Sequence, residues 1–339
     1  MTRLHVLRRP QLLATVSILS LAVLGTAATA PVRAAESRIP ISKPTTITTP
    51  GSYVLTRDLA GTGDQLVIAT GPVVLDLNGH SVTGTDANTI PLRVTERGNA
   101  IVRNGTVTSG ANYAITAEGR NGSFPRLVLD EVEVTGATTT ALYATDVLEL
   151  TVTNSRLHDC AGGISVSTVA TRGMLHVAND RIQVGRRGID LGGLLPLMGD
   201  VSDNVIVAGL DTGLAIGGNV GALGVRRNTI TTGGGAGVYA GGVGGHAIEA
   251  NVVRQTAGVG IQVFSDGNRV TGNVVTGSAS TGIEVSGHYN IVEQNTLANN
   301  AGYGVYLIGD WNAYRNNLSR NNGAGDYRPG GNTDGGGNL

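Results

Sequence analysis

At 339 residues the chain is long enough for two ordinary domains or for one extended repeat body. Glycine is abundant at 52 residues, charged residues make up only 14%, aromatic residues 4%, and the formal net charge is −1. A balance this close to zero argues against nucleic acid or an anionic membrane surface as partner, and a single cysteine, Cys160, excludes an intramolecular disulfide.

Arg3, Arg8 and Arg9 precede an apolar run from Leu12 to Leu24, and small residues follow up to Ala34. This order is that of a cleaved secretory signal over residues 1–34, and its apolar part is shorter than the roughly 20 residues a membrane span needs. Arg8-Arg9 leaves twin-arginine export open, although Gln11 stands where an apolar residue is wanted. The expectation is a secreted or periplasmic protein without stable membrane insertion, held together by its own core. Residues 35–50, rich in Thr and Pro, read as a linker. Pro50-Gly51 is a turn signal, and residues 51–70 are expected to form an N-terminal cap. Cys160, beside Ala161-Gly162-Gly163, reads as a buried apolar residue rather than a nucleophile.

From Gly237 to Asn317 one unit of about 22 residues recurs: GVYA (237–240), GIQV (260–263), GIEV (282–285) and GVYL (304–307), with glycines 23, 22 and 22 residues apart. Weaker copies run backwards through GLAI (213–216), GIDL (188–191), GISV (163–166), ALYA (141–144), AITA (114–117), PLRV (91–94) and QLVI (65–68), giving about eleven coils. The alternation in G-I-x-V makes each copy a short strand with one buried face, and no helical period intervenes. A second column holds Asn104, Asp130, Asn154, Asp180, Asn204, Asn228, Asn251, Asn273, Asn295 and Asn316, with His176 and His246 reading as substitutes in the Asn turn positions. Asn at a repeated turn can pass side-chain hydrogen bonds up the stack as a ladder. Residues 326–339 are Gly-rich and are expected to form a flexible tail.

PGSYVLTRDL (50–59), LDLNGH (75–80) and VRNGTV (102–107) resemble the start of bacterial secreted right-handed parallel β-helix proteins of the pectate-lyase-like superfamily. The resemblance covers about residues 50–325 and implies one all-β, right-handed parallel β-helix domain over 51–325. The superfamily includes lyases, hydrolases and epimerases, and in such enzymes extended sugar chains usually lie along the first-strand face.

Equivalent positions on adjacent coils should lie about 5 Å apart. The outward position of the first strand then runs Thr116, Tyr143, Ser165, Asp190, Ala215, Tyr239, Gln262, Glu284, Tyr306. Asp266, His288 and Asp310 follow at the same coil spacing, and an imidazole stacked between two carboxylates would be an acid–base candidate. Glu284 with Asp310 or Asp266 would serve hydrolysis; His288 or Tyr306 would instead abstract a proton beside a uronate carboxylate held by an arginine. Tyr239, Tyr306 and Trp311, flanked by Tyr289, would stack on sugar rings, while Gln262 and Asn290 would bond hydroxyls. Turns also favour Asp, His and Asn without any function, and outward strand faces carry Tyr. A second constellation, Arg187 and Asp190 with Arg186, Asp211 and Arg226-Arg227, would seat an anionic group or form a surface charge network.

The chain has no Cys/His cluster for zinc and no glycine-rich phosphate loop opening a helix. The paired-aspartate and Gly-His-Gly signatures of β-helix polygalacturonases and the Asp-Pro-His-Asp signature of β-helix mannuronan epimerases are missing. Lys43, the only lysine, lies outside the stack. No cofactor is certain, and calcium at Asp266 or Asp310 stays open. The expectation is an exported protein acting on an extended carbohydrate as lyase, hydrolase or isomerase. Its alternatives are a non-catalytic glycan-binding module and a cyclase or isomerase of a smaller, less polar molecule.

Overall fold

The computed structural model describes residues 38–169 and 171–339, so the expected signal segment lies outside the described residues. The regular elements of the described residues are β-strands. Each G-I-x-V copy forms a short strand, as in Ile261–Val263, Ile283–Val285 and Tyr303–Leu307. These pair in parallel with Ile261 on Ile283, Gln262 on Glu284 and Val263 on Val285, and stack into a 13-stranded sheet, here called face 1. Each coil then turns into a face 2 strand such as Ala247–Glu249 and, past a two-residue corner, a face 3 strand such as Val252–Arg254. Faces 2 and 3 count as one 24-stranded sheet because Asn99–Ser109 and Arg126–Thr135 run round the corner unbroken.

Inward side chains stack on their own kind: Ile261 and Ile283, then Val263 and Val285, are all fully buried. Burial of each such side chain contributes roughly 1.5–3 kcal/mol. The glycine opening each unit is required by close approach. A Cβ on Gly260 would sit 2.2 Å from Val275 Cγ1 and 2.6 Å from the Gly282 carbonyl oxygen.

The corner between faces 2 and 3 is made by one left-handed residue per coil, such as Arg227 (φ 54°), Ala250 (φ 55°) or Gln294 (φ 58°). The following residue is the ladder asparagine. Asn251 donates its backbone N–H (2.9 Å) and Nδ2 (3.0 Å) to Asn273 Oδ1, and Nδ2 also to the Val225 carbonyl (2.8 Å). Asn204, Asn228, Asn273 and Asn295 repeat this pattern, so each buried amide is saturated. Six positions expected in this column lie elsewhere. Asn104 (φ 60°), Asn154 (φ 54°) and Asn316 (φ 54°) are corner residues, and the ladder member of the last of these coils is Asn317. Asp130 precedes the corner residue Glu131 (φ 56°). His176 lies on face 2, its Nδ1 2.9 Å from Asp200 Oδ1. His246 heads a second ladder on the turn between faces 1 and 2, continued by Asn268, Asn290, Asn312 and Asn332.

The ends hold more structure than expected. Face 1 gains Thr45–Ile47 before the eleven copies and Gly325–Arg328 after them. The expected linker thus supplies strands Ile39–Ile41 and Thr45–Ile47, and residues 51–70 form an ordinary coil beneath them rather than the cap. The expected tail closes both ladders through Asn332 and Asn338 and buries Tyr327 partly, its hydroxyl bonded to the carbonyls of Asn317 (2.7 Å) and Leu339 (3.0 Å). Its glycines disguise ladder residues at the proper spacing. Among the described residues no helix is long and apolar enough to cross a membrane.

Candidate functional site

The pairing register of face 1 reproduces the outward column rung by rung, from Tyr143 through Ser165, Asp190, Ala215, Tyr239, Gln262, Glu284 and Tyr306 to Arg328. At about 4.8 Å per rung these side chains span about 38 Å of face.

The column is not level. Ser165 and Ala215 are small, and on either side of Asp190 the surface sinks into hollows of about 220 and 360 Å³. Arg187 and Asp190 line both; Thr140, Gly163, Ser165 and Asp211 close the first, and Thr212, Ala215, Gly217 and Tyr239 the second. Arg187 stands between them because the turn leading into face 1 projects it across two coils. Its Nη1 lies 2.8 Å from Asp190 Oδ2 and its Nη2 3.2 Å from Asp211 Oδ2. Burial works against the charge on Arg187, but Asp190 and then Asp211 outweigh it and raise its pKa. Burial likewise opposes the Asp211 charge, yet the Thr212 N–H and the Arg187 guanidinium prevail and hold it below the usual carboxylate range. The cluster is therefore one cation with two anions, and the guanidinium is already engaged. An anionic substrate group would have to compete with both carboxylates for it.

At the N-terminal edge Tyr143 stacks on Tyr113 with ring centroids 4.9 Å apart. Burial pushes its hydroxyl pKa up, so this phenol stays protonated. Toward the C-terminus, Gln262 Nε2 donates to Glu284 Oε1 (3.1 Å), Tyr306 follows one rung on, and the Arg328 guanidinium lies 4.6 Å from the Tyr306 ring centroid. Arg328 sits 22 residues after Tyr306, the repeat period itself, but the Gly-rich tail composition hid it.

Asp266, His288 and Asp310 do stack on successive coils, though the imidazole is not held between carboxylates. Asp266 Oδ1 accepts the His288 backbone N–H (2.7 Å), and His288 Nδ1 accepts the Asp310 backbone N–H (3.1 Å). Backbone amides occupy the turn more closely than the carboxylates do. The Asp310 carbonyl oxygen lies 3.3 Å from the same Nδ1, so the Asp310 backbone meets this ring nitrogen in either tautomer. Tyr289 and Trp311 stack with centroids 5.2 Å apart and 18° between planes, beside His288. Asn290 is fully buried in the second ladder and out of reach of any sugar hydroxyl. Phe264, exposed and 5.7 Å from the Tyr239 ring, was not singled out from sequence because its rung position holds Ser286 and Ile308 elsewhere. His158 Nε2 lies 2.8 Å from Glu133 Oε1 and Nδ1 2.7 Å from Asp159 Oδ2, on face 3 and away from the column. Among the described residues no group of three or more His, Cys, Asp or Glu side chains is placed to hold a metal ion.

No curated protein sequence matches the chain. Among solved structures, the mannuronan C-5 epimerase A-module of Azotobacter vinelandii superposes with a TM-score of 0.58 at 14% identity, covering 85% of this chain and 90% of that one. A periplasmic alginate epimerase gives a TM-score of 0.49 at 15% identity, covering 86% and 79% of the two chains. Tailspike protein 3 of bacteriophage CBA120 gives 0.42 at 13% identity, covering 85% and 50%. At such identities the likeness is one of fold. Residues 212–332 match the family model described as a right handed beta helix region, and the parallel register continues through the whole stack of described strands, so the fold is a right-handed parallel β-helix.

Proposed function

We propose that this is an exported protein that acts on an extended carbohydrate lying along face 1. The observation that carries the reading is the unbroken outward column from Tyr143 to Arg328, hollowed at Asp190 and lined by hydrogen-bonding and aromatic side chains. The mannuronan epimerase likeness supports the same substrate class, and the charged-apolar N-terminus supports export.

The chemistry follows from which groups are paired. Hydrolysis by two carboxylates needs them roughly 5–9.5 Å apart across the bond. Along the column the carboxylate nearest to Glu284 is Asp190, four rungs or about 19 Å away, so a hydrolytic partner would have to come from the turn, at Asp266 or Asp310. Glu284 and Tyr306, one rung or about 5 Å apart, instead suit moving a proton on and off a sugar carbon, as a lyase or isomerase requires. Arg187, Asp190 and Asp211 would bind hydroxyls around the hollow, and Tyr239 would offer a ring to a pyranose face.

One observation favours a purely binding role: both carboxylates in the hollow are tied to Arg187. Incubation of the protein with acidic and neutral polysaccharides, followed by chromatography and NMR of the chains, separates the two. Glu284→Gln and Tyr306→Phe are each expected to lower turnover by about 10²–10⁴-fold with an unchanged melting midpoint. Binding without any product would establish the non-catalytic role, and full activity of both variants would sink the assignment of the proton-moving pair.

A further inference from the structure

On the turn between faces 1 and 2, the residues before His246, Asn268, Asn290 and Asn312 are left-handed: Gly245 (φ 73°), Gly267 (φ 65°), Tyr289 (φ 57°) and Trp311 (φ 58°). Glycine adopts this conformation freely, whereas a bulky residue there is a genuine outlier. The core gains little from the exception, because Tyr289 and Trp311 are 62% and 65% exposed. Two large rings held at the surface in strained backbone point to a function.

Their geometry says which. The two rings cover one face of each other, at 5.2 Å and 18°, and so do not form a flat platform along the rod. The stack instead stops where glycine replaces the next ring. A Cβ on Gly267 would meet no atom within 4 Å, and the Gly267 N–H donates to the His288 carbonyl (2.9 Å), which seats it one rung from Tyr289. The neighbouring residue Asp266 uses Oδ1 on the His288 N–H, and Phe264, three residues before Gly267, is exposed and tilts toward Tyr239 at the rim of the larger hollow, ring centroids 5.7 Å apart.

We propose that the space over Gly267 binds one pyranose ring, which continues the Tyr289–Trp311 stack through its C–H face and donates a hydroxyl to the Asp266 carboxylate. An aromatic path through Tyr239 and Phe264 joins this position to face 1, so the ring belongs to a chain that overhangs the hollow. The proposal rests on the carbohydrate reading given above. A sugar suits the site better than a nucleic-acid base, because acidic Asp266 and Asp310 flank the rings and the chain has no net positive charge.

Trp311 is the only tryptophan, so its emission reports directly on the stack. The full protein is titrated with hexasaccharides of mannuronate, galacturonate and β-1,4-glucose, and with oligothymidylate, while calorimetry measures binding separately. At least one sugar is expected to shift Trp311 emission saturably. Gly267→Tyr, which fills the slot with the residue of the next rung, should raise its Kd at least tenfold. Tyr289→Gly removes both the ring and the strain, and should weaken binding similarly without lowering the melting midpoint. Gly331→Tyr, on the opposite side of Trp311 and with open space around it, should leave Kd within twofold. A sugar that binds by calorimetry with unchanged emission overturns the proposal but leaves the carbohydrate reading standing. So does a larger effect at Gly331 than at Gly267, or an equal response to oligothymidylate. Absence of any calorimetric sugar binding overturns both.

Discussion

Asp180 occupies a ladder position that asparagine holds in the following coils, from Asn204 to Asn338, and this makes stability depend on pH in a calculable way. The side chain is 3% exposed; Oδ1 accepts the Ser155 N–H (2.6 Å), the Asp180 N–H donates to Asn204 Oδ1 (2.9 Å), and Oδ2 has no partner. Asn204 and Asn228 donate Nδ2 to the Val177 and Val201 carbonyls, and the register assigns the equivalent carbonyl at Asp180 to Val152. A protonated Oδ2 can imitate that amide; an ionised one turns negative charge toward a carbonyl oxygen. Burial accordingly raises the pKa from 3.8 to about 7, against the opposing Ser155 N–H. The folded state binds the extra proton between those values, so the stability it contributes is full below pH 3.8 and lost as pH rises to about 7. A shift of this size corresponds to at most about 4 kcal/mol. Asp180→Asn supplies the missing donor without a charge. It is expected to stabilise the protein at pH 8 by a few kcal/mol, up to about 4, and to change little at pH 4. Denaturant midpoints of both proteins, measured across pH 4–8, give the difference free of other titrating groups. A difference that is flat with pH, or a variant weaker than the parent at pH 8, would refute the reasoning.

The other predictions test the close approach of coils and the charges on face 2. Gly260→Ala forces a methyl into Val275 and the Gly282 carbonyl and should cost about 1–3 kcal/mol; an unchanged urea midpoint would show that the coils can separate there. Glu293 is held by Arg315 and Arg269, each 2.7 Å away, and these cations, Arg315 first, keep its carboxyl below its ordinary pKa. Its contribution is present above pH 4.5 and lost as pH falls through the depressed value. Glu293→Gln should therefore lower the thermal midpoint at pH 7 and have a diminishing effect toward pH 2, and an equal loss at both ends would contradict the pairing.

The architecture was legible because a β-helix writes its tertiary neighbours into its period. Once Gly237, Gly260, Gly282 and Gly304 set the spacing, Tyr239, Gln262, Glu284 and Tyr306 were bound to be neighbours, and the register agrees. The same period, carried 22 residues past Tyr306, reaches Arg328, but the glycine-rich composition there has the appearance of a tail and masks the last coil. Composition misleads at the ends, where a few ladder asparagines suffice to order a chain that has few apolar side chains to bury.

Sequence by itself determined which residues share a face, since strand alternation and a constant coil length are local properties that stacking merely repeats. Only the tertiary structure decided what those residues do to one another. Left-handed corner residues separate Asn316 from the ladder that Asn317 joins, Asp266 bonds the His288 backbone N–H rather than its ring, and the Asp310 backbone rather than its carboxylate meets His288 Nδ1. The projection of Arg187 over two coils depends on turn geometry between strands, which varies from coil to coil. Periodicity fixes spacing along the rod to within a rung, whereas the direction of a side chain leaving a turn is set by φ and by neighbouring coils, and neither is written in the spacing.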